Sequence, residues 1–429
     1  MNYGFIKVAS AVPSVKVADC KYNVEQIEQQ IILAEGQGVE IIVFPELSLT
    51  GYTCQDLFRQ NLLLETTESA MLMLLDFTRQ LNIISIVGLP IAVGDLLLNC
   101  AAIIQKGQIL GIVAKENLPN YNEFYEKRWF ASVQDLRTTE LRFAGNQINL
   151  SFTPQIFVTC DGVRFGVEIC EDVWAPTPPS NHLALAGADI IFNLSASDEL
   201  IGKHDYLCKL LAQQSARTIT GYVYSSAGFG ESTQDVVYGG NALIFENGHL
   251  LQSGPRFAMT PQMQVAQIDV ERLRTERRGN TTYVKNAHSI LPKDFVLERP
   301  VDAHPFIPSP DMMEKSCEEI LNIQVMGLAK RLVHTSCQKV VIGISGGLDS
   351  TLALLVCAMT FDKLGLDSSG IIGVTMPGFG TTDRTYTNAI KLMQSLHITI
   401  REISIAKSVT QHFEDIGHDI SVHDTTYEN

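Results

Sequence analysis

The 429-residue sequence contains no long apolar run free of polar residues, so nothing in it is suited to cross a membrane as a helix. No Gly-x-x-x-x-Gly-Lys-Ser/Thr occurs, and without the lysine that reaches the β- and γ-phosphates, γ-phosphoryl transfer is disfavoured. The ten histidines form no His-Glu-x-x-His set, and the nine cysteines show no paired metal-ligand spacing. Neither a zinc centre nor a disulfide framework is therefore expected, and most thiols read as inert core residues in a reducing compartment. Basic residues are outnumbered 32 to 47, giving a net charge of -15, and an acidic surface offers no counter-charge to nucleic acid or an anionic membrane. Met1 to Ser10 begin with a strand-like segment and lack the charged-then-apolar layout of an export signal, so the expected address is cytoplasmic.

What is present is enough hydrophobic material, 45 % of the residues, for two or three buried cores. Strand-like runs at Phe5 to Ala9, Ile41 to Phe44, Ile83 to Val87, Ala101 to Ile104, Ile109 to Val113, Phe165 to Ile169, Ile190 to Phe192 and Tyr222 to Ser225 alternate with helical stretches such as Val24 to Ala34 and Thr66 to Leu81. Lys106-Gly107 and Asn247-Gly248 mark hairpins, so antiparallel pairs join the β/α alternation and the first domain reads as a mixed α/β sandwich. Pro300, Pro305, Pro308 and Pro310 break that pattern, and we place a linker over 276–311 between domains at 1–275 and 312–429. Arg272, Arg274, Arg277 and Arg278 interleave with Glu271 and Glu276 and read as a solvated helical face. Beyond the linker, strands at Val340 to Ile344, Gly370 to Met376 and Ile398 to Ile405 alternate with helices, the start of a doubly wound parallel sheet that stops after three strands.

Two constellations carry chemistry. After Val340 to Ile344 the chain reads Ser345-Gly346-Gly347-Leu348-Asp349-Ser350 and enters a helical pattern, so amides of a glycine-rich turn and a helix N-terminus converge where a phosphate could sit. In the first domain, Cys170 follows the strand-like Val163 to Ile169, Glu46 follows Ile41 to Phe44, and Lys115 follows Ile109 to Val113. Taken alone, a cysteine after an apolar strand is a packing residue, and Trp174 beside it reads as core. Three reactive side chains at strand ends can instead share one crevice.

Residues Gly343, Ile344, Ser345, Gly346, Gly347, Leu348, Asp349 and Ser350 resemble the PP-loop of ATP pyrophosphatases, and Glu46, Lys115 and Cys170, with Tyr121, Glu126 and Arg128-Trp129-Phe130, resemble the nitrilase superfamily. Their order along the chain resembles the glutamine-dependent NAD synthetase family, and Tyr427-Glu428-Asn429 falls inside a further motif of that family. The resemblance implies an α/β fold with a nitrilase-like α-β-β-α sandwich followed by an incomplete doubly wound parallel-sheet PP-loop domain. It implies a general base at Glu46, a nucleophile at Cys170, an oxyanion partner at Lys115 and a supporting carboxylate at Glu126, with Tyr121, Ser197 and Lys203 around the glutamine backbone groups. It further implies ATP on the Gly343 to Ser350 loop, Mg²⁺ on Asp349, deamido-NAD as the amidated substrate, and a homo-oligomer with small-molecule substrates and no nucleic-acid or membrane partner. With the sheet cut after three strands, glutamine hydrolysis is expected to survive in this chain and NAD synthesis is not. An amidase fused to a different adenylating amidotransferase, and a non-catalytic scaffold, remain open at this point.

Overall fold

Strict two-residue alternation builds the first unit. In Phe5–Val12, Ile6 and Val8 enter one apolar cluster while Ala9 and Ala11 enter another, and Ile41 and Val43 part in the same way from Ile42 and Phe44. A strand that buries both faces lies in the middle of a layered stack, because its side chains point alternately to opposite sides. The computed structural model describes residues 4–136, 140–150, 155–281, 283, 307–308, 310, 312–379, 383–422 and 424–425. It divides into two units, Met1–Ser316 and Cys317–Asn429.

The first unit holds two six-stranded sheets. One runs in the order Gln262–Asp269, Phe5–Val12, Ile41–Val43, Ile84–Val93, Leu96–Gln105, Gln108–Ala114. The other runs His249–Ser253, Ala242–Glu246, Gly221–Ser226, Ile190–Ser195, Arg164–Ile169, Phe157–Val158. Ile6, Val8, Ile41, Ile86, Phe165, Val167, Phe192 and Val223 fill the space between them, each contributing about 2 kcal/mol by burial. Two hydroxyls stitch the layers: Ser10 Oγ donates to the Tyr224 carbonyl (2.7 Å) and Ser225 Oγ to that of Ala11 (2.8 Å). Helices Cys20–Gly36 and Asn61–Phe77 cover the outer face of the first sheet, and Pro179–Leu185 and Lys203–Thr218 that of the second. Cys20–Gly36 starts where the Asp19 carboxylate accepts from the Tyr22 N–H (3.1 Å), and it buries Val24, Ile27, Ile31 and Ala34 at helical spacing.

The central strands of each sheet are parallel, so their carboxyl ends emerge together. Both hairpins expected from sequence are present, with Lys106-Gly107 and Asn247-Gly248 at positive φ as their turn type requires. The strand Gln262–Asp269 is not announced by the sequence. Its side chains are mostly half-buried, and what orders it is antiparallel pairing with Phe5–Val12 from the far end of the unit.

The arginine-rich segment forms the expected helix, Val270–Gly279, but its face is not simply solvated. Arg274 Nη2 pairs with Asp189 (2.5 Å), and Arg277 donates to the carbonyls of Ala188 (2.6 Å) and Ile219 (3.0 Å), so the helix is bolted to the second sheet. Of the nine thiols, Cys160, Cys317 and Cys337 are exposed rather than buried in a core. In the second unit, Val340–Gly343, Ile371–Thr375 and Thr399–Glu402 form a parallel sheet in chain order, packed through Leu354, Phe361, Ile371 and Met393. Most of the linker placed at 276–311, and the motif Tyr427-Glu428-Asn429, lie outside the described residues.

Gly88, in Ile84–Val93, permits the close crossing of the segment that carries Glu46. A Cβ there would stand 2.3 Å from the Leu47 nitrogen and 2.7 Å from the Pro45 carbonyl oxygen. Gly88→Ala should therefore lower unfolding free energy by about 3 kcal/mol, read by urea denaturation, because the obstacle is backbone and cannot rotate aside.

Candidate active site

At the rim where the strand ends emerge, the Glu46 N–H donates to the Ser195 carbonyl of the opposite sheet (3.2 Å), which joins the two layers at this point. The next residue, Leu47, sits at φ +52°, so the turn holding Glu46 is strained and is kept by its surroundings. Glu46 is 1 % exposed and Lys115 not exposed at all. Glu46 Oε1 accepts from Lys115 Nζ (2.6 Å) and from Asn99 Nδ2 (2.6 Å). Lys115 Nζ also donates to Glu126 Oε1 (2.8 Å) and Oε2 (2.9 Å), and the Tyr52 hydroxyl donates to Glu126 Oε1 (2.7 Å). Glu46 Oε2 and Asn99 Oδ1 are buried without a partner among the described residues.

Cys170 follows Arg164–Ile169 at φ +47°, a left-handed conformation uncommon for a side chain with a Cβ, and opens the short helical turn Cys170–Trp174. Asp172 fixes this turn. Its Oδ2 accepts from the Ile169 N–H (3.0 Å), while Oδ1 accepts from the backbone N–H (2.8 Å) and the Nδ2 (3.0 Å) of Asn117, two residues beyond Lys115. The cysteine turn and the lysine segment are thereby clamped together. Burial pushes the Cys170 thiol well above the ordinary range, the Glu46 carboxylate adds to that, and Lys115 and the Ala196 backbone oppose it. Cys170 thus lies within electrostatic reach of Glu46 and Lys115. Burial also works against the Lys115 ammonium, yet the Glu126 and Glu46 carboxylates oppose it and hold the lysine charged.

The remaining sequence candidates have their own partners. Tyr121, half exposed, donates to Glu171 Oε1 (2.7 Å) beside Cys170. Ser197 is buried, and its N–H donates to Ser226 Oγ (3.1 Å). Lys203 pairs with Asp198, and its ammonium lies 5.4 Å from the Phe124 ring centre and 5.9 Å from that of Trp174. Trp174 is not core. It is half-buried and stacks on Tyr206 with centroids 5.6 Å apart. A shallow cleft lined by Tyr52, Phe124, Tyr125, Trp129, Asp235 and Tyr238 reaches Glu126.

In the second unit, the loop from Gly343 to Ser350 is tied together by hydroxyls. Gly347 N–H donates to Ser345 Oγ (3.3 Å), Ser350 Oγ donates to the Gly347 carbonyl (3.2 Å), and Ser345 and Ser350 hydroxyls lie 3.1 Å apart. Gly346 has φ +84°, and a Cβ there would meet the Thr385 carbonyl oxygen at 2.1 Å, so only glycine fits. Ile344 is buried, whereas Leu348 is 89 % exposed at the start of helix Leu348–Leu364, leaving the first-turn amides open to an anion. Asp349 lies in that first turn. Among the described residues no group of three or more His, Cys, Asp and Glu could hold a metal. A single carboxylate beside a phosphate cradle nevertheless suits Mg²⁺, which keeps waters and takes phosphate oxygens as ligands.

Asn99, Tyr52 and Asp172 escaped the sequence reading. Asn99 carries a visible signal as the lone polar residue inside an apolar strand, and Tyr52 and Asp172 carry none that distinguishes them from loop residues. Burial pushes the carboxyls of Glu126 and Asp172 up to about 7 from ordinary values of 4.5 and 3.8. Both therefore bind a proton more tightly folded than unfolded, and their contribution to stability is full below about pH 4 and is lost as pH rises through about 7. Thermal melts across that window should show Glu126→Gln losing part of this slope.

Residues 7–278 match the carbon-nitrogen hydrolase family and residues 320–429 the NAD synthase family. The chain is 38 % identical over 451 residues to a glutamine-dependent NAD(+) synthetase of Mycobacterium tuberculosis, covering 100 % of this chain and 66 % of that one. It thus spans about two thirds of the length of the curated relatives it matches. A glutamine-dependent NAD+ synthetase from Acinetobacter baumannii, solved with ADP, superposes with TM-score 0.77 at 23 % identity over 99 % of this chain and 70 % of its own. A Nesterenkonia amidase of the nitrilase superfamily gives 0.52 at 17 % identity over 65 % of this chain and 98 % of its own, so both share the fold. The chain belongs to the carbon-nitrogen hydrolase family and continues past it into an NAD synthase segment.

Proposed function

We propose that the domain at 1–275 hydrolyses the side-chain amide of glutamine. The ammonia released serves an ATP-dependent amidation of deamido-NAD to NAD, to which 312–429, reached through the linker at 276–311, contribute the nucleotide-binding part. The observation that carries the first half is a buried ammonium shared by two carboxylates, Lys115 with Glu46 and Glu126, whose charges act on Cys170, a strained cysteine at a strand end.

In this reading the resting thiol of Cys170 is neutral, because burial and Glu46 both raise its pKa, so a base must act as the bond forms. Glu46 takes the thiol proton as sulfur attacks the carboxamide carbon. Lys115 and a backbone N–H near Cys170 hold the oxyanion, a kind of donor worth about 3 kcal/mol each. The proton on Glu46 goes to the departing nitrogen, ammonia leaves, and water activated by Glu46 cleaves the thioester to glutamate. Glu126 holds Lys115 in place, and Tyr121, Ser197 and Lys203 receive the α-amino and α-carboxylate groups, with Lys203 the cation for the carboxylate.

On the second unit, the amides of Gly346 to Ser350 would hold phosphate oxygens of ATP and Asp349 would hold Mg²⁺, whose role is to neutralise charge on the departing pyrophosphate. Glutamine, ATP and deamido-NAD are all small molecules, and a homo-oligomer and a cytoplasmic address belong to the same reading. Support comes from the order of the two matched families and from relatives named glutamine-dependent NAD(+) synthetases. Cys170→Ala should abolish glutamate release from glutamine by about 10³-fold or more while circular dichroism stays unchanged. Mass spectrometry of the wild type treated with 6-diazo-5-oxo-norleucine should place the adduct on Cys170. An adduct elsewhere, or glutamate release that survives Cys170→Ala, would refute the reading.

A further inference from the structure

Strand Leu96–Gln105 reads Leu-Leu-Leu-Asn-Cys-Ala-Ala-Ile-Ile-Gln, and Asn99 is the single polar residue in its interior. It is completely buried. Its neighbours Leu98, Cys100 and Ala101 are buried too, so an apolar side chain would suit the position better than a carboxamide. Its Oδ1 is buried with no partner among the described residues, which is a cost. The contact its side chain does make is Nδ2 to Glu46 Oε1 at 2.6 Å, and its carbonyl accepts the Lys115 N–H at 2.8 Å. One residue thus touches both the carboxylate and the backbone of the lysine.

The two oxygens of Glu46 are treated differently. Oε1 receives both Lys115 Nζ and Asn99 Nδ2, which fills its two lone-pair directions. Oε2 receives nothing among the described residues. The last torsion of a glutamate is broad, so a lysine on a flexible stem would not by itself stop the two oxygens from exchanging places. A second donor on a rigid strand does.

Resting on the glutaminase reading above, we propose that Asn99 is a positioning residue for amide hydrolysis. With Lys115 it occupies Oε1 and reserves Oε2 as the oxygen that exchanges protons. Oε2 takes the proton of the Cys170 thiol as the sulfur–carbon bond forms, and gives it to the amide nitrogen as the carbon–nitrogen bond breaks, so the nitrogen leaves as ammonia. Water then supplies the second proton to Oε2 and the hydroxyl to the acyl carbon, and that proton returns to Cys170 as the thioester opens.

The test uses the whole 429-residue chain as wild type, Asn99→Leu and Asn99→Ser. Both variants should lose at least about tenfold in kcat for glutamine with KM within about twofold, and iodoacetamide alkylation mapped to Cys170 should slow by a comparable factor. A merely structural role would instead lower the melting temperature or raise KM. If Asn99→Leu fails to fold, as judged by circular dichroism, Asn99→Ser decides the matter. Variants that keep kcat within twofold of an active wild type, that lose only in KM, or that leave Cys170 alkylation unaltered overturn this proposal alone. A wild type that releases no glutamate removes the glutaminase reading and this inference with it.

Discussion

A lysine ammonium with no solvent exposure is tolerable only where anions replace its lost water, and Lys115 meets that condition with Glu46 on one side and Glu126 on the other. Much else at the rim follows from keeping that arrangement. Tyr52 donates to Glu126, Asn99 donates to Glu46, and the lysine's own N–H is spent on the Asn99 carbonyl. Removing the lysine would leave two carboxylates facing each other in a dry site. Buried ion clusters of this kind are poor sources of stability, and this one holds two carboxylates and a cation in one small space.

The sandwich supplies the rigidity that the cluster needs. Parallel central strands bring loop starts to a common rim, and the alternation of Ile6, Val8 against Ala9, Ala11 buries each strand from both sides, so those strand ends have little freedom to drift. Two of the left-handed non-glycine residues, Leu47 and Cys170, lie at the rim, so part of the backbone strain of the unit is held there. Asp172 completes the arrangement by tying the cysteine turn to the segment after Lys115. The glycine-rich turn of the second unit is built differently: hydroxyls of Ser345 and Ser350 and the backbone of Gly347 bond to one another and shape the loop.

Most strands, both hairpins and the helices over the first sheet were legible in the sequence because each is specified by local periodicity or by turn chemistry. The strand Gln262–Asp269 was not, since its order comes from pairing with Phe5–Val12 more than two hundred residues away. The arginines of Val270–Gly279 misled for a related reason. Charge interleaving on a helix looks the same whether the partners are solvent or, as for Arg274 and Arg277, Asp189 and backbone carbonyls of the second sheet.

By itself the sequence determined which chemistry was on offer: a cysteine, a glutamate and a lysine each following an apolar strand, and a glycine turn feeding a helix. Those are statements about neighbours in the chain, and local sterics and hydrogen bonding suffice to make them. Tertiary structure alone decided that Lys115 is shared between Glu46 and Glu126, that Asn99 and Tyr52 supply the second donors, and that one oxygen of Glu46 has no partner among the described residues. Contacts between residues tens of positions apart arise only when sheets pack, because the exclusion of water that fixes them is a property of the assembled core.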